Sequence, residues 1–279
     1  MKHHPFLLIV ILLILIACEE IPPEIRPAKD GETPIETPVS EQKRQVLIEE
    51  FSGVRCVNCP AGSDAIQVLL DIYGPQLVPV NIHAGFFAEP YPESRYDLQT
   101  QAGYGILEYL GQPLGFPTAV INRKQFPGED NLQLTQRSWA GRIAEELLEA
   151  PTVKIDIRKD FAVTDRLLLV NVDLYFEADI AAEDVRLSVY ITENGIEDFQ
   201  LTPEGKVGNY EHLHVLREVL TDVRGDRLTE TIRAGTMLNR RFTIVLPEAW
   251  RAENCEIVAL VHQDGDSKKV LQAHRSSVE

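Results

Sequence analysis

Three patterns of apolar and polar positions divide the chain. The first is an unbroken apolar run, Phe6 to Ile16, behind the polar start Met1-Lys-His-His4. The second begins at Gln45, where short apolar runs alternate with segments whose apolar residues recur every three or four positions. Gln45 to Phe51 predicts a strand, stopped by Ser52-Gly53. Ile66, Leu69, Leu70 and Tyr73 then fall on one face of a helix that Gly74-Pro75 ends. Leu77 to His83 predicts a second strand, residues 93–110 a mostly helical segment, and Pro117 to Asn122 a third strand. Ala140, Ile143, Ala144, Leu147 and Leu148 mark a closing helix, with Thr135 at its N-cap and Pro151 just past its end. Strands alternating with helices argue for an α/β unit over residues 42–150.

From Pro151 onward the period drops to two. Val153, Ile155 and Ile157 alternate with Lys154, Asp156 and Arg158, and the same alternation runs through residues 170–177 and 185–191. These are half-buried strands. Further strands are expected near 211–220, 227–233, 239–246, 256–263 and 269–275, between turn signals such as Asn194-Gly195 and Asp264-Gly265. That spacing favours an all-β, immunoglobulin-like sandwich over residues 151–279.

The apolar start is too short for a transmembrane helix, which needs about 20 apolar residues. A basic start, an apolar core and a small residue at the cut instead read as a secretory signal over residues 1–17. Leu15-Ile16-Ala17-Cys18 resembles the bacterial lipobox, which makes Cys18 the expected lipidation site and the membrane a partner through that lipid. Glu19 and Glu20 resemble a short acidic export signal found on some outer-membrane lipoproteins. Residues 18–41, with Pro22, Pro23, Pro27, Pro34 and Pro38 set among charges, read as an extended tether.

Composition removes whole function classes. With 27 Lys+Arg against 43 Asp+Glu the net charge is −16, so no nucleic-acid partner is expected. Only four cysteines occur, far below the density of a disulfide-stapled scaffold. No glycine-rich phosphate loop and no internal repeat stand out, and neither a cofactor nor a bound metal is expected.

The chemistry of the chain concentrates in Val54-Arg-Cys-Val-Asn-Cys-Pro60, between the first strand and the first helix. Two residues between cysteines let one helical turn bring the sulfurs within bonding range, and free amides at a helix N-terminus stabilise a thiolate. Cys56 reads as the exposed nucleophile, with Arg55 favouring its thiolate, and Cys59 as the buried resolving thiol. The order strand, CxxC, helix resembles thioredoxin-like proteins. Gly115-Phe-Pro-Thr118 resembles the loop that sets a cis-proline against their disulfide, which makes Pro117 a site residue. Glu50, six residues before Cys56, matches the position of their buried acid and reads either as a proton relay or as a solvated strand-edge carboxylate. Arg55 in place of an aromatic residue, Glu50 in place of Asp and Pro60 after the second cysteine depart from thioredoxin itself.

Val46 to Pro60, Gly115 to Thr118, Tyr210 to Arg217 and Val258 to His262 together resemble the outer membrane protein twenty-eight-related lipoproteins. The resemblance implies a lipid-anchored outer-membrane protein with a thioredoxin-like domain and a β-rich C-terminal domain, and implies no defined reaction. Two functions stay open. One is thiol-disulfide exchange with envelope or surface proteins through Cys56 and Cys59; the other is a binding or structural protein in which the pair is a static disulfide. A Cu(I) carrier using Cys56, Cys59 and His83 is a third, without a residue that selects it. His212 and His214 read as an exposed polar strand face, and Cys255 as a small buried hydrophobe.

Overall fold

The computed structural model describes residues 41–181 and 184–279, together with the backbone of residues 24–26. The signal segment, Cys18, Glu19 and Glu20 lie outside the described residues.

In chain order the elements are β1 Glu24–Arg26, β2 Val46–Ser52, α1 Cys59–Tyr73, β3 Leu77–His83, α2 Gln101–Leu110, β4 Thr118–Ile121 and α3 Gln136–Glu146. They continue with β5 Val153–Ala162, β6 Leu167–Phe176, β7 Val185–Glu193, β8 Ile196–Thr202 and β9 Gly205–His212. The last are β10 Val215–Val219, β11 Asp226–Arg227, β12 Met237–Val245, β13 Cys255–Gln263 and β14 Val270–Ser277. The long sheet runs in the order β14-β13-β7-β10-β3-β2-β4, with β11 also on β7. Strands from before and after residue 150 therefore share one sheet. The join is narrow: β10 lies parallel to β3 through the single pair Val215↔Asn81 and antiparallel to β7.

Every residue of β2, β3 and β4 is buried. Such strands are covered on both faces, which is why they read as apolar runs and not as alternation. On one face, Ile66 and Leu69 of α1 and Trp139 and Ile143 of α3 pack on Val46, Ile48, Leu77 and Ile121. On the other, Ile106, Leu107 and Leu110 of α2 pack on Leu47, Phe51, Val80 and Ile82. That second cluster runs on to Tyr190, Val258 and Leu260 at the far end of the sheet. There the opposite face of β7 and β13 meets the antiparallel sheet β1-β12-β6-β5 in a core of Ile155, Val172, Leu187, Val189, Ile244 and Ile257.

Three differences from the sequence reading have physical causes. Within residues 93–110 only Gln101–Leu110 is helical, because Thr100 caps it with Oγ1 accepting from Gly103 N at 2.9 Å. Upstream, Arg95 N and Tyr96 N donate to the Asp198 carboxylate in place of helical carbonyls. The strand expected at 211–220 is two strands, broken at Leu213-His214, where His214 adopts φ 56°. In the segment read as a tether, Glu24–Arg26 pairs antiparallel with Thr243–Val245 on the edge of the smaller sheet. An open edge strand offers unpaired backbone groups to any extended segment.

Candidate functional site

The CxxC loop is shaped by backbone contact before side chains enter. A Cβ on Gly53 would lie 2.4 Å from the carbonyl carbon and oxygen of Phe87, so glycine alone lets that segment approach. Arg55 N then donates to Phe87 O at 2.9 Å, Cys56 N to Gly53 O at 3.0 Å and Cys59 N to Cys56 O at 3.2 Å. Pro60 sits in the first turn of α1, where its missing N–H has no intrahelical partner to lose. Cys56 and Cys59 form a disulfide with their Cα atoms 5.3 Å apart.

The hairpin of β8 and β9 covers this loop. Leu201 N donates to Val54 O at 2.7 Å, and the buried Gln200 amide donates to Cys56 O at 3.0 Å. Asp198 in turn accepts from Arg95 N and Tyr96 N, each at 2.9 Å, fixing the hairpin to the segment before α2. As a result Cys56, expected at the surface, is 3% exposed, and Cys59 is 1% exposed. Arg55 is held on the segment after Phe87. Its guanidinium donates to Glu89 O at 2.7 Å and Pro90 O at 2.6 Å and lies over the Tyr91 ring.

Beneath the disulfide, three elements converge on Gly62, one turn into α1. A Cβ there would stand 2.4 Å from Glu50 Oε1 and 2.8 Å from Pro117 Cβ. The Phe116-Pro117 peptide bond is cis. Glu50 is 1% exposed on β2. Its Oε2 accepts from Asn81 Nδ2 at 3.1 Å and Ser63 Oγ at 3.4 Å, while Oε1 has no hydrogen-bond partner. Burial pushes its carboxyl up to about 8, against a smaller lowering by Ser63. G62A is expected to cost about 1–3 kcal/mol by overpacking and to displace either the carboxylate or the proline ring. Urea unfolding followed by tryptophan fluorescence checks it, and a variant as stable as wild type would show that the contact yields freely.

His83, at the end of β3, is buried with neither ring nitrogen hydrogen-bonded, and burial holds it well below the ordinary imidazole range. Its ring meets His212 edge-on at 5.4 Å, and His212 meets Tyr210 at 4.9 Å. His212 and His214 are not an exposed strand face: both are buried, and the break between β9 and β10 sends them apart. His214 faces Gln67 and Glu256 instead. Among the described residues no group of three or more His, Cys, Asp or Glu stands together as a metal site. Cys255 is buried and unpaired, its thiol pushed up by burial. The polar hairpin carrying Gln200 and Tyr210 is absent from the sequence reading; its one local signal is Thr202-Pro203-Glu204-Gly205, a turn sequence.

The family model described as outer membrane protein Omp28 matches residues 111–279. The chain belongs to the Omp28 family. Membership makes it a protein of the outer membrane, and among the described residues no helix is long and apolar enough to cross one. No match was found among curated proteins. Among solved structures, HBP35 of Porphyromonas gingivalis aligns with TM-score 0.68 at 20% identity, over 85% of this chain and 76% of its own. An Agrobacterium tumefaciens protein aligns with TM-score 0.54 at 14% identity, over 86% of this chain and 97% of its own. Both likenesses speak to the fold alone. A domain of the outer membrane lipoprotein Omp28 from Porphyromonas gingivalis aligns over 46% of this chain and 89% of its own, at 17% identity and a TM-score of 0.32, too low to bear on the fold.

Proposed function

We propose that this Omp28-family chain is a lipid-anchored thiol-disulfide exchange protein, with a thioredoxin-like half over residues 42–150 and an immunoglobulin-like sandwich over residues 151–279. The observation that carries the reading is the convergence on Gly62: a disulfide at the mouth of α1, the cis-Pro117 ring and a buried, proton-retaining Glu50 meet within one helical turn. In the exchange, a thiolate of an envelope or surface protein with a reduced cysteine pair bonds to Cys56 Sγ. The Cys56–Cys59 bond breaks, and its electron pair goes to Cys59 Sγ, which takes the proton of the Glu50 carboxyl. A second thiolate of the partner then displaces Cys56 Sγ, which leaves the partner oxidised to a disulfide and Cys56 reduced; the reverse sequence reduces a partner disulfide and restores the Cys56–Cys59 bond.

One observation favours a second reading. Both cysteines are nearly inaccessible, and Gln200 clamps the Cys56 carbonyl, as a static brace between the loop and the hairpin would require. Equilibrating the full chain in detergent against glutathione buffers, with alkylation and mass read-out, separates the two. A reversible transition between about −270 and −120 mV, abolished in C56S, supports exchange. A pair still oxidised below about −300 mV supports the brace.

Acyl chains on Cys18 would supply the anchor, at about 0.8 kcal/mol per buried methylene. Glu24 lies six positions after Cys18. With β1 paired on β12, that leash spans at most about 20 Å. The sandwich edge would then sit close to the bilayer, and not clear of it as a free tether would allow.

A further inference from the structure

A narrow cleft of about 10 Å³, room for one water, opens beside Glu50. Ser63, Ile66 and Gln67 of α1, Asn81 of β3 and His214 line it with Glu50 itself. Three buried polar atoms on these walls have no hydrogen-bond partner, Glu50 Oε1, Asn81 Oδ1 and His214 Nδ1. Beyond the cleft a polar chain leads outward. His214 Nε2 lies 3.3 Å from the Gln67 side-chain nitrogen, and Nδ1 lies 3.7 Å from Glu256 Oε2. Glu256 Oε1 accepts from Arg275 at 2.8 Å, and both side chains are partly exposed.

We propose that this cleft is the proton port of Glu50, and that His214 carries protons between a water held beside the carboxyl and the surface pair Glu256–Arg275. The proposal rests on the exchange reading and adds the step that reading leaves open. Once Glu50 has given its proton to the Cys59 sulfur, the buried carboxylate must be reprotonated from solvent. When Cys59 acts as the attacking thiol, the proton that Glu50 accepts must leave. An imidazole suits this task because one ring nitrogen can accept a proton while the other gives one up.

Around Glu50, α1 presents Ser63 and Gly62, β3 presents Asn81, the loop before β4 presents Pro117 and β9 presents Tyr210. Among these only Tyr210 titrates, and burial, with Asp64 and Glu50 acting in the same direction, pushes its phenol up and away from neutral pH. The residue that opens the port belongs to the segment between β9 and β10, the same segment that joins the two parts of the long sheet. His214 acts through Glu50 and is a positioning residue for the disulfide chemistry.

The test measures reduction of Cys56–Cys59 by dithiothreitol in the full chain, across pH 6–9 at low buffer concentration, for wild type, H214A and H214Q. H214Q keeps an amide able to bond Gln67 and removes the titratable group, so it separates proton transfer from packing. Both variants are expected to slow reduction about tenfold or more and to reshape the pH profile, with added imidazole restoring H214A. An H214Q profile that overlays wild type, or an H214A defect that imidazole leaves untouched, overturns the port. Should the wild-type disulfide never exchange, the exchange reading falls and the port is judged separately. The Glu50 carboxyl infrared band, assigned by its loss in E50Q, is followed after a pH jump; it responds about tenfold more slowly in H214Q if the port is right and equally fast if it is wrong.

Discussion

R123M is expected to destabilise the protein by about 3–5 kcal/mol, because it strips the partner from a fully buried carboxylate. Arg123 and Glu49 are both 0% exposed in their side chains. The guanidinium meets the carboxylate twice, Nε to Oε2 at 2.9 Å and Nη2 to Oε1 at 2.6 Å, and also donates to the Tyr190 hydroxyl at 2.6 Å. Burial alone would lower the arginine's proton affinity; Glu49, with Tyr190 and Tyr109, more than offsets it, and the net shift is upward. Glu49 comes from β2, Arg123 from the turn after β4 and Tyr190 from β7, so the guanidinium ties the two parts of the long sheet together through the Tyr190 hydroxyl. Removing the cation leaves the buried Glu49 carboxylate without the donor that meets both of its oxygens. The double variant E49M/R123M removes both charges and should recover most of the loss, since apolar replacement of a buried pair is often close to neutral. Urea unfolding of the single and double variants closes the cycle. A single variant within about 1 kcal/mol of wild type would mean that water reaches the pair.

What the sequence made legible follows the reach of its signals. The strands around Val46–Ser52 and Leu77–His83, the first helix and the alternating strands β5, β6 and β7 are local patterns, and the chain adopts them where those patterns stand. The CxxC spacing and the Phe116-Pro117 step are local too, and the disulfide and the cis bond lie there. Contacts between distant segments left no such mark. Nothing near Val215 announces its pairing with Asn81, and yet that single pair fuses the strands of the two parts into one sheet. The hairpin that buries Cys56 escaped for a different reason. In β8 and β9 acids and amides hold many of the positions that a half-buried strand gives to apolar residues, so the period-two signal is faint. Gln200, Tyr210 and His214 all sit on or beside that faint segment. Their roles appear only once the hairpin is folded against the loop.

E50Q is expected to be more stable than wild type at pH 8, by an amount on the order of 4–5 kcal/mol, with the difference vanishing toward pH 4.5. The Glu50 carboxyl rises from its ordinary value of 4.5 to about 8, chiefly because burial disfavours the charged form. Between those two values the native state holds a proton that the unfolded chain has released. Stability therefore falls as pH rises through that window, and glutamine, which keeps the acceptor for Asn81 without a charge, does not share the loss. The buried histidines act on the other side. His212 is held down to about 4 and His262 to about 3, both mainly by burial, and His83 lies well below its ordinary range for the same reason. The unfolded chain binds protons at these rings from about pH 6.5 downward while the native state refuses them, so stability falls as pH drops below that point. The alkaline limb belongs chiefly to Glu50, with a share from Glu218, whose carboxyl burial also raises, and should shrink in E50Q, while the acid limb should persist. Urea unfolding of both proteins at several pH values, with the disulfide intact, reads the difference directly. A gap that stays constant with pH would mean that Glu50 is ionised in the native state, and a donor of protons to Cys59 at neutral pH would then be missing from the site.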